Sequence, residues 1–327
     1  LTITLKIIQT ASVERRTTPT RRASAIALVA GVIGVAGCGA NPTETAPSTR
    51  LEVVAASATW GAIASDLGAG IANVQSIINS PAVDPHEYEP SAADARAIDR
   101  AAVVVMNGLG YDAWASRVVR ADPRSGRIVV SAETVLGRHT GDNPHRWYDP
   151  ADVSAVADAI TAAYRSADPA HAADYAVARQ RFADGLRDFR SLVASIRATY
   201  AGTPIGASES VITPLADALE LPVITPGRFL TDISDGIDPS PGDTETIDRQ
   251  IRTHAIAAYV YNPQNATPEV ARFVAASRAA GIEVVTMTES LPADHTSFAT
   301  WQVAQLRALI AALQTARTGR RPTPPAT

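Results

Sequence analysis

The amino-acid sequence predicts an α/β protein of two lobes, each a mostly parallel sheet flanked by helices, joined by one long helix. From Leu51 onward, strand-like apolar runs alternate with helix-like segments. That alternation is the signature of a parallel sheet covered on both faces. One stretch, Pro169–Tyr200, interrupts it with sustained helical periodicity. The strand-helix pattern then restarts and continues to Ala316.

In the first lobe, strands are predicted at Leu51–Ser57, Ile71–Ile78, Ala102–Met106 and Arg127–Val130. Ser91, with Asp94 three residues on, makes an N-terminal cap for a helix reaching Arg100. Asp149-Pro150 opens another, with Asp as cap and Pro at the first helical position. Val153, Val156, Ile160 and Tyr164 then form one apolar face. In the joining stretch, Tyr175, Phe182, Leu186, Phe189, Val193, Ile196 and Tyr200 follow the helical repeat. They predict a helix of about 30 residues, roughly 45 Å long, enough to buttress both lobes. In the second lobe, strands are predicted at Pro204–Ala207, Pro222–Ile224, Ala257–Tyr261 and Glu283–Met287. Helices are predicted there at Val211–Leu219, Thr244–Thr253, Pro268–Ala280 and Ser297–Ala316.

The 327 residues are 46% hydrophobic and 19% charged, the composition of a globular protein. The formal net charge is −4; residues 1–37 carry +4, so the remainder carries −8. An acidic body argues against nucleic acid as a partner, which needs clustered Lys and Arg, and is compatible with a cationic ligand. Arg15, Arg16, Arg21 and Arg22 precede the apolar run Ala23–Gly37. That run is shorter than the about 20 residues of a transmembrane helix and has the order of a secretory signal. It ends Val35-Ala36-Gly37-Cys38, which resembles the bacterial lipobox, whose cysteine is lipidated. Cys38 is the only cysteine, so neither a disulfide nor a thiolate metal site forms within the chain. The expected organisation is a signal peptide at 1–37, then the lipidated Cys38 and a flexible tether to residue 50. The first lobe follows at 51–167, the linking helix at 168–200, the second lobe at 201–316 and a disordered tail at 317–327.

Two of the six histidines stand in unusual company. His86 lies in Asp84-Pro85-His86-Glu87-Tyr88-Glu89-Pro90, and His145 in Asn143-Pro144-His145-Arg146-Trp147-Tyr148-Asp149-Pro150. Both follow a proline in a loop that precedes a predicted helix, where α/β sheets place their ligand sites. Neutral imidazole is a common ligand for zinc and related ions. His139, His171, His254 and His295 are assigned no ligand role, although His139 and His295 fall in loops where they would assist. Asp84, Asp142 and Asp149 are read as turn or cap residues.

Taken with Asn107-Gly108-Leu109-Gly110 and Trp114, these motifs resemble the zinc/manganese receptor family of bacterial ABC importers, the cluster A-I solute-binding proteins. The match in order and spacing runs from about Leu51 to Leu313. The resemblance implies two α/β lobes joined by a rigid long helix, with one divalent metal ion held between them. It implies His86 and His145 as the first two ligands. Glu209, in Ser208-Glu209-Ser210-Val211-Ile212, stands where the family has its third, a His or Glu. Glu289, in Thr288-Glu289-Ser290-Leu291, stands where the family usually has Asp, one methylene shorter. Two neutral imidazoles and two carboxylates would bring −2 to a dication, so the buried complex is near neutral. The set is harder than one of three histidines, closer to the family's manganese receptors, while the Irving–Williams order favours zinc binding in vitro. The implied protein is not an enzyme. It is a monomeric extracytoplasmic receptor, anchored to the membrane through its N-terminal lipid, that delivers Mn or Zn to an ABC importer permease and its ATPase.

Three other readings compete. Gly108-Leu109-Gly110-Tyr111-Asp112-Ala113 after a strand, with Glu133 about 20 residues on, satisfies the dinucleotide-binding fingerprint and would fit an NAD-dependent oxidoreductase. The export signal argues against it. A secreted metallohydrolase lacks the H-E-x-x-H spacing and an open coordination position. A receptor for an organic ligand on the same scaffold would bind without His86 and His145.

Overall fold

The computed structural model describes residues 50–80, 83, 88–291 and 297–319. His86 and His295 lie outside these residues, as do Cys38 and the expected signal, tether and most of the tail.

Each lobe is built on an all-parallel sheet. The first has four strands in the order β2-β1-β3-β4: β1 Leu51–Ser57, β2 Ala72–Ile78, β3 Val103–Met106 and β4 Ile128–Ser131. Val53 pairs with Val74 on one side and Val103 on the other, which fixes the register at the sheet centre. Alternate residues of these strands serve two cores. Val53, Ala55, Val103 and Val105 face the main core, while Val54, Ala56 and Val104 pack with Trp114 and Ile98 on the opposite face. The helices of this lobe are α1 Ala58–Gly68, α2 Ala92–Arg100, α3 Ala113–Ala121, the single turn α4 Ala132–Val135, and α5 Pro150–Ala167. The caps fall where the sequence puts them. Ser91 and Asp94 form a reciprocal capping box on α2, and Asp149 accepts from Ala151 and Asp152 at the start of α5.

The joining stretch is helical from Pro169 to Tyr200, as a 3-10 turn followed by α6 Ala172–Gly185 and α7 Arg187–Tyr200. Its ladder passes through the break at Leu186, which donates to Phe182 and accepts from Arg190. Gly185, a poor helix former, lies at the break, and the Arg190 guanidinium bonds the carbonyls of Ala183 and Leu186 there. Tyr175 packs on Tyr164 of the first lobe, and Phe182 on Phe298 of the last helix.

The second sheet has three strands, β5 Gly206–Ala207, β6 Ala258–Tyr261 and β7 Glu283–Thr286, in that order. The run predicted as a strand at Pro222–Ile224 contributes only a bridge from Val223 to Ile205, since its leading Pro222 has no N–H to donate. Helices α8 Thr213–Leu219, α9 Gly227–Ser234, α10 Pro241–Arg252, α11 Pro268–Ala279 and α12 Phe298–Thr318 complete the lobe. In sequence α9 follows Pro226, too short for a periodic signal. Among the described residues no helix is long and apolar enough to cross a membrane.

Asp149→Ala removes both cap bonds of α5 and a carboxylate facing Arg146. It is expected to cost about 1 kcal/mol of stability, read as a lowered urea midpoint with an unchanged slope.

Candidate metal centre

The carboxyl ends of the strands converge on one cleft. Glu209 lies two residues after β5, Asn262 directly after β6, and Glu289 three residues after β7. His145 comes from the first lobe, from the loop between α4 and α5. One ligand atom each of His145, Glu209 and Glu289 lies within 4.8 Å of the others. All three side chains are buried, at 1%, 0% and 5% exposure. Such burial of two carboxyls is costly without a counter-charge.

His145 is aimed. Its backbone N–H donates to Asn143 Oδ1 at 2.9 Å, and Nδ1 lies 3.1 Å from the same oxygen. Asn143 Oδ1 only accepts, so Nδ1 carries a proton, and in the neutral ring the lone pair on Nε2 points into the cleft. Nε2 has no hydrogen-bond partner among the described residues and lies 3.7 Å from Glu289 Oε2. A buried nitrogen lone pair facing two carboxylates is the donor set a divalent cation requires. Asn143 also reaches the second lobe, donating from Nδ2 to Ser210 O at 2.8 Å. It thereby ties the turn of His145 to that of Glu209.

Glu209 is held at both oxygens. Oε2 accepts from Val211 N–H at 3.1 Å and from the Ser234 hydroxyl at 2.9 Å, and Oε1 accepts from Asn262 Nδ2 at 2.9 Å. Glu289 Oε1 accepts from the same Nδ2 at 2.9 Å, and Oε2 accepts from the Tyr111 hydroxyl at 3.3 Å. The Glu289 turn is fixed from both lobes. Thr59 of α1 donates to its carbonyl, and Gln264 accepts its N–H. Behind it, the Tyr148 hydroxyl lies 2.7 Å from both Thr288 O and Gln305 Oε1. Trp147 packs edge-on to His145 with ring centroids 5.4 Å apart, and Trp60 and Tyr111 pack on Trp147 in turn.

The titrations are shifted together. Burial disfavours a charged His145, but the facing carboxylates of Glu289 and Glu209 outweigh it and raise its pKa above 6.5. Burial raises Glu209 also, opposed by His145 and reinforced by Glu289. Without a cation, His145 and Glu209 therefore hold protons where isolated groups would have lost them.

The structure brings together three of the four residues assigned from sequence; the fourth, His86, belongs to the segment between β2 and α2 outside the described residues. Tyr88 of the same motif is described, packing on Trp114 and bonding Asp94 at the start of α2. His171 pairs with Asp168 at 2.8 Å, and His254 borders a cavity with Pro204 and Gly281 rather than the cleft. Asp142 accepts from the His139 N–H, as a turn residue should. The dinucleotide fingerprint proves to be a filled loop. Asp112 accepts from the N–H of Asn107 and Gly108, both at 2.7 Å, and Glu133 from that of Leu109. The amides a pyrophosphate would need are taken by two carboxylates, and burial pushes Asp112 up to about 6. Asn143, Asn262, Gln264 and Gln305 carry no motif of their own. Asn143 alone lies within a motif read from the sequence, that of His145.

A family profile described as zinc-uptake complex component A, periplasmic (ZnuA) matches residues 53–312. The manganese-binding lipoprotein MntA of Halalkalibacterium halodurans is 28% identical over 173 residues, covering 51% of this chain and 55% of that protein. The iron-binding protein YfeA of Yersinia pestis is 27% identical over 185 residues, covering 54% and 58%. The chain thus spans little more than half the length of these curated relatives. Among solved structures, the solute-binding protein FpvC of Pseudomonas aeruginosa in complex with Mn2+ superposes with a TM-score of 0.66 at 21% identity, covering 82% of this chain and 100% of that one. The Mn-bound periplasmic metal-binding protein of Candidatus Liberibacter asiaticus gives 0.66 at 18%, covering 80% and 98%. These two share the fold.

Because metal ligation needs a neutral imidazole, the raised His145 pKa sets a sign. Affinity for a dication should fall as pH drops, beginning above 6.5 rather than at it. Calorimetry at pH 7 in two buffers of different ionisation enthalpy should show net proton release on binding; identical heats would contradict it.

Proposed function

The chain belongs to the ZnuA family of periplasmic zinc-uptake components, and from that premise we propose that it is an extracytoplasmic receptor for a divalent transition-metal ion, Mn or Zn. In this reading the ion is cargo, held between the lobes by His145 Nε2, Glu209 and Glu289, with His86 as the fourth ligand. The receptor delivers it to an ABC importer permease and its ATPase, and acts as a binder with no reaction of its own. It works as a monomer, tethered to the membrane through a lipidated Cys38. Residues 51–167 and 201–316 serve as the two metal-binding lobes and 168–200 as their link.

The observation that carries this reading is the buried cluster itself: an imidazole nitrogen with no hydrogen-bond partner among the described residues, facing two carboxylates within 4.8 Å, contributed by both lobes. The relatives' names point the same way, since one is a manganese-binding and another an iron-binding protein. A bound dication would offset the like charges and could not be held by either lobe alone. Neither the oxidoreductase reading nor the organic-ligand reading has a comparable feature to stand on.

Thermal unfolding tests it. Zn2+ or Mn2+ at about one hundred times its Kd should stabilise the protein by about 2.7 kcal/mol through mass action. His145→Ala should abolish most of that shift, and His171→Ala should leave it intact. A melting curve unmoved by either ion would overturn the proposal.

A further inference from the structure

The turn that carries Glu289 takes its backbone hydrogen bonds from both lobes. The N–H of Thr288 donates to Gln305 Oε1 at 3.1 Å, and those of Glu289 and Ser290 donate to Gln264 Oε1 at 2.7 and 3.2 Å. The Ser290 carbonyl accepts from the Thr288 hydroxyl at 2.9 Å. These four bonds stay within the second lobe. The two remaining carbonyls are met from the first. The Tyr148 hydroxyl lies 2.7 Å from Thr288 O, and the Thr59 hydroxyl donates to Glu289 O at 2.9 Å. Gln305 Oε1 is also 2.7 Å from the Tyr148 hydroxyl and also accepts, so the one hydroxyl hydrogen is shared between two acceptors of the second lobe. Thr59 lies on α1 and Tyr148 just before α5, and both side chains are buried. The Tyr148 ring also packs on Trp301 of α12, with centroids 5.7 Å apart.

Glu209 is held differently. The donors on its carboxylate, Val211, Ser234 and Asn262, all belong to its own lobe. At Glu289, by contrast, two successive carbonyls depend on hydroxyls from across the cleft. An ion enclosed by buried side chains of both lobes leaves only when a ligand turn withdraws. If the Glu289 turn withdraws from the first lobe, both carbonyls lose their donors. A donor lost to one buried carbonyl is worth about a tenfold change in an equilibrium or a rate.

Resting on the metal-receptor reading above, we propose that Tyr148 and Thr59 are positioning residues that clamp the Glu289 turn from the opposite lobe and so set how fast the bound ion is released. Neither is a ligand. Each acts on the backbone that carries one, and withdrawal of that backbone is the slow step of release.

Tyr148→Phe and Thr59→Val each remove one hydroxyl with little change of shape. On the full chain loaded with Zn2+, release is timed by stopped-flow capture on a chromogenic chelator. Each variant should release zinc about tenfold faster than wild type, while its association rate stays within about twofold. Thr59→Ser returns the hydroxyl and should restore the wild-type rate. Tyr164→Phe is the control for a merely structural loss. Its hydroxyl is equally buried and donates to Ala64 O at 2.9 Å, within the first lobe. That variant should lower the urea midpoint and leave zinc release unchanged. If Tyr148→Phe does not fold, Thr59→Val carries the test. Folded variants that release zinc at the wild-type rate, or an equal acceleration in Tyr164→Phe, would overturn the proposal. A wild-type protein that takes up neither Zn2+ nor Mn2+ would instead overturn the receptor reading on which it rests.

Discussion

Glu209 and Glu289 bring two carboxyl groups into one dry cleft, sharing the amide of Asn262, with a single imidazole alongside. Two like charges within 4.8 Å repel by about 3 kcal/mol even at an effective dielectric of about 20. The surroundings are arranged to bear that load. Val211, Ser234 and Asn262 supply donors to Glu209, and protons are retained on His145 and Glu209. The protein's own side chains supply at most one positive charge there, on His145, against two carboxyl groups. A dication would offset the charge that remains.

The scaffold explains why the groups meet at all. Parallel strands deliver their carboxyl ends to one side of each sheet, so residues distant in sequence arrive in neighbouring loops. The joining helices pack on the first lobe through Tyr175 and on α12 through Phe182. Tyr148 of the first lobe meets Thr288 and Gln305 of the second, and Thr59 meets the Glu289 carbonyl. Asn143 does the same beside Glu209 through Ser210. The lobes are therefore linked through the turns that carry His145, Glu209 and Glu289.

Much of this was legible in the chain. Strand and helix positions followed from apolar periodicity and caps, because parallel strands buried on both faces read as continuous Val-rich runs, and Ser91 and Asp149 are strong helix starts. His145 announced itself through its Pro-His context, and the two glutamates through their register in a family pattern. The joining helix was visible as one stripe of apolar residues, but its break at Leu186 was not, since a one-residue interruption leaves the stripe in phase. Asn262 and Gln305 were invisible for a different reason: an amide with no motif acts only through the partners that folding brings to it. The fingerprint at Gly108, rightly set aside, arises because a phosphate-binding loop and a loop filled by its own carboxylates share the same glycines. At Gly108, φ is +75°, and an added Cβ would lie 2.6 Å from that of Glu133, so glycine is required by packing alone.

The most direct test of the central claim is an anomalous-difference map from crystals grown with zinc, recorded at the zinc edge. One peak per chain is expected, about 2.0–2.2 Å from His145 Nε2 and from one oxygen of each glutamate. A peak seated on surface side chains, with His145, Glu209 and Glu289 left as they are without metal, would contradict it.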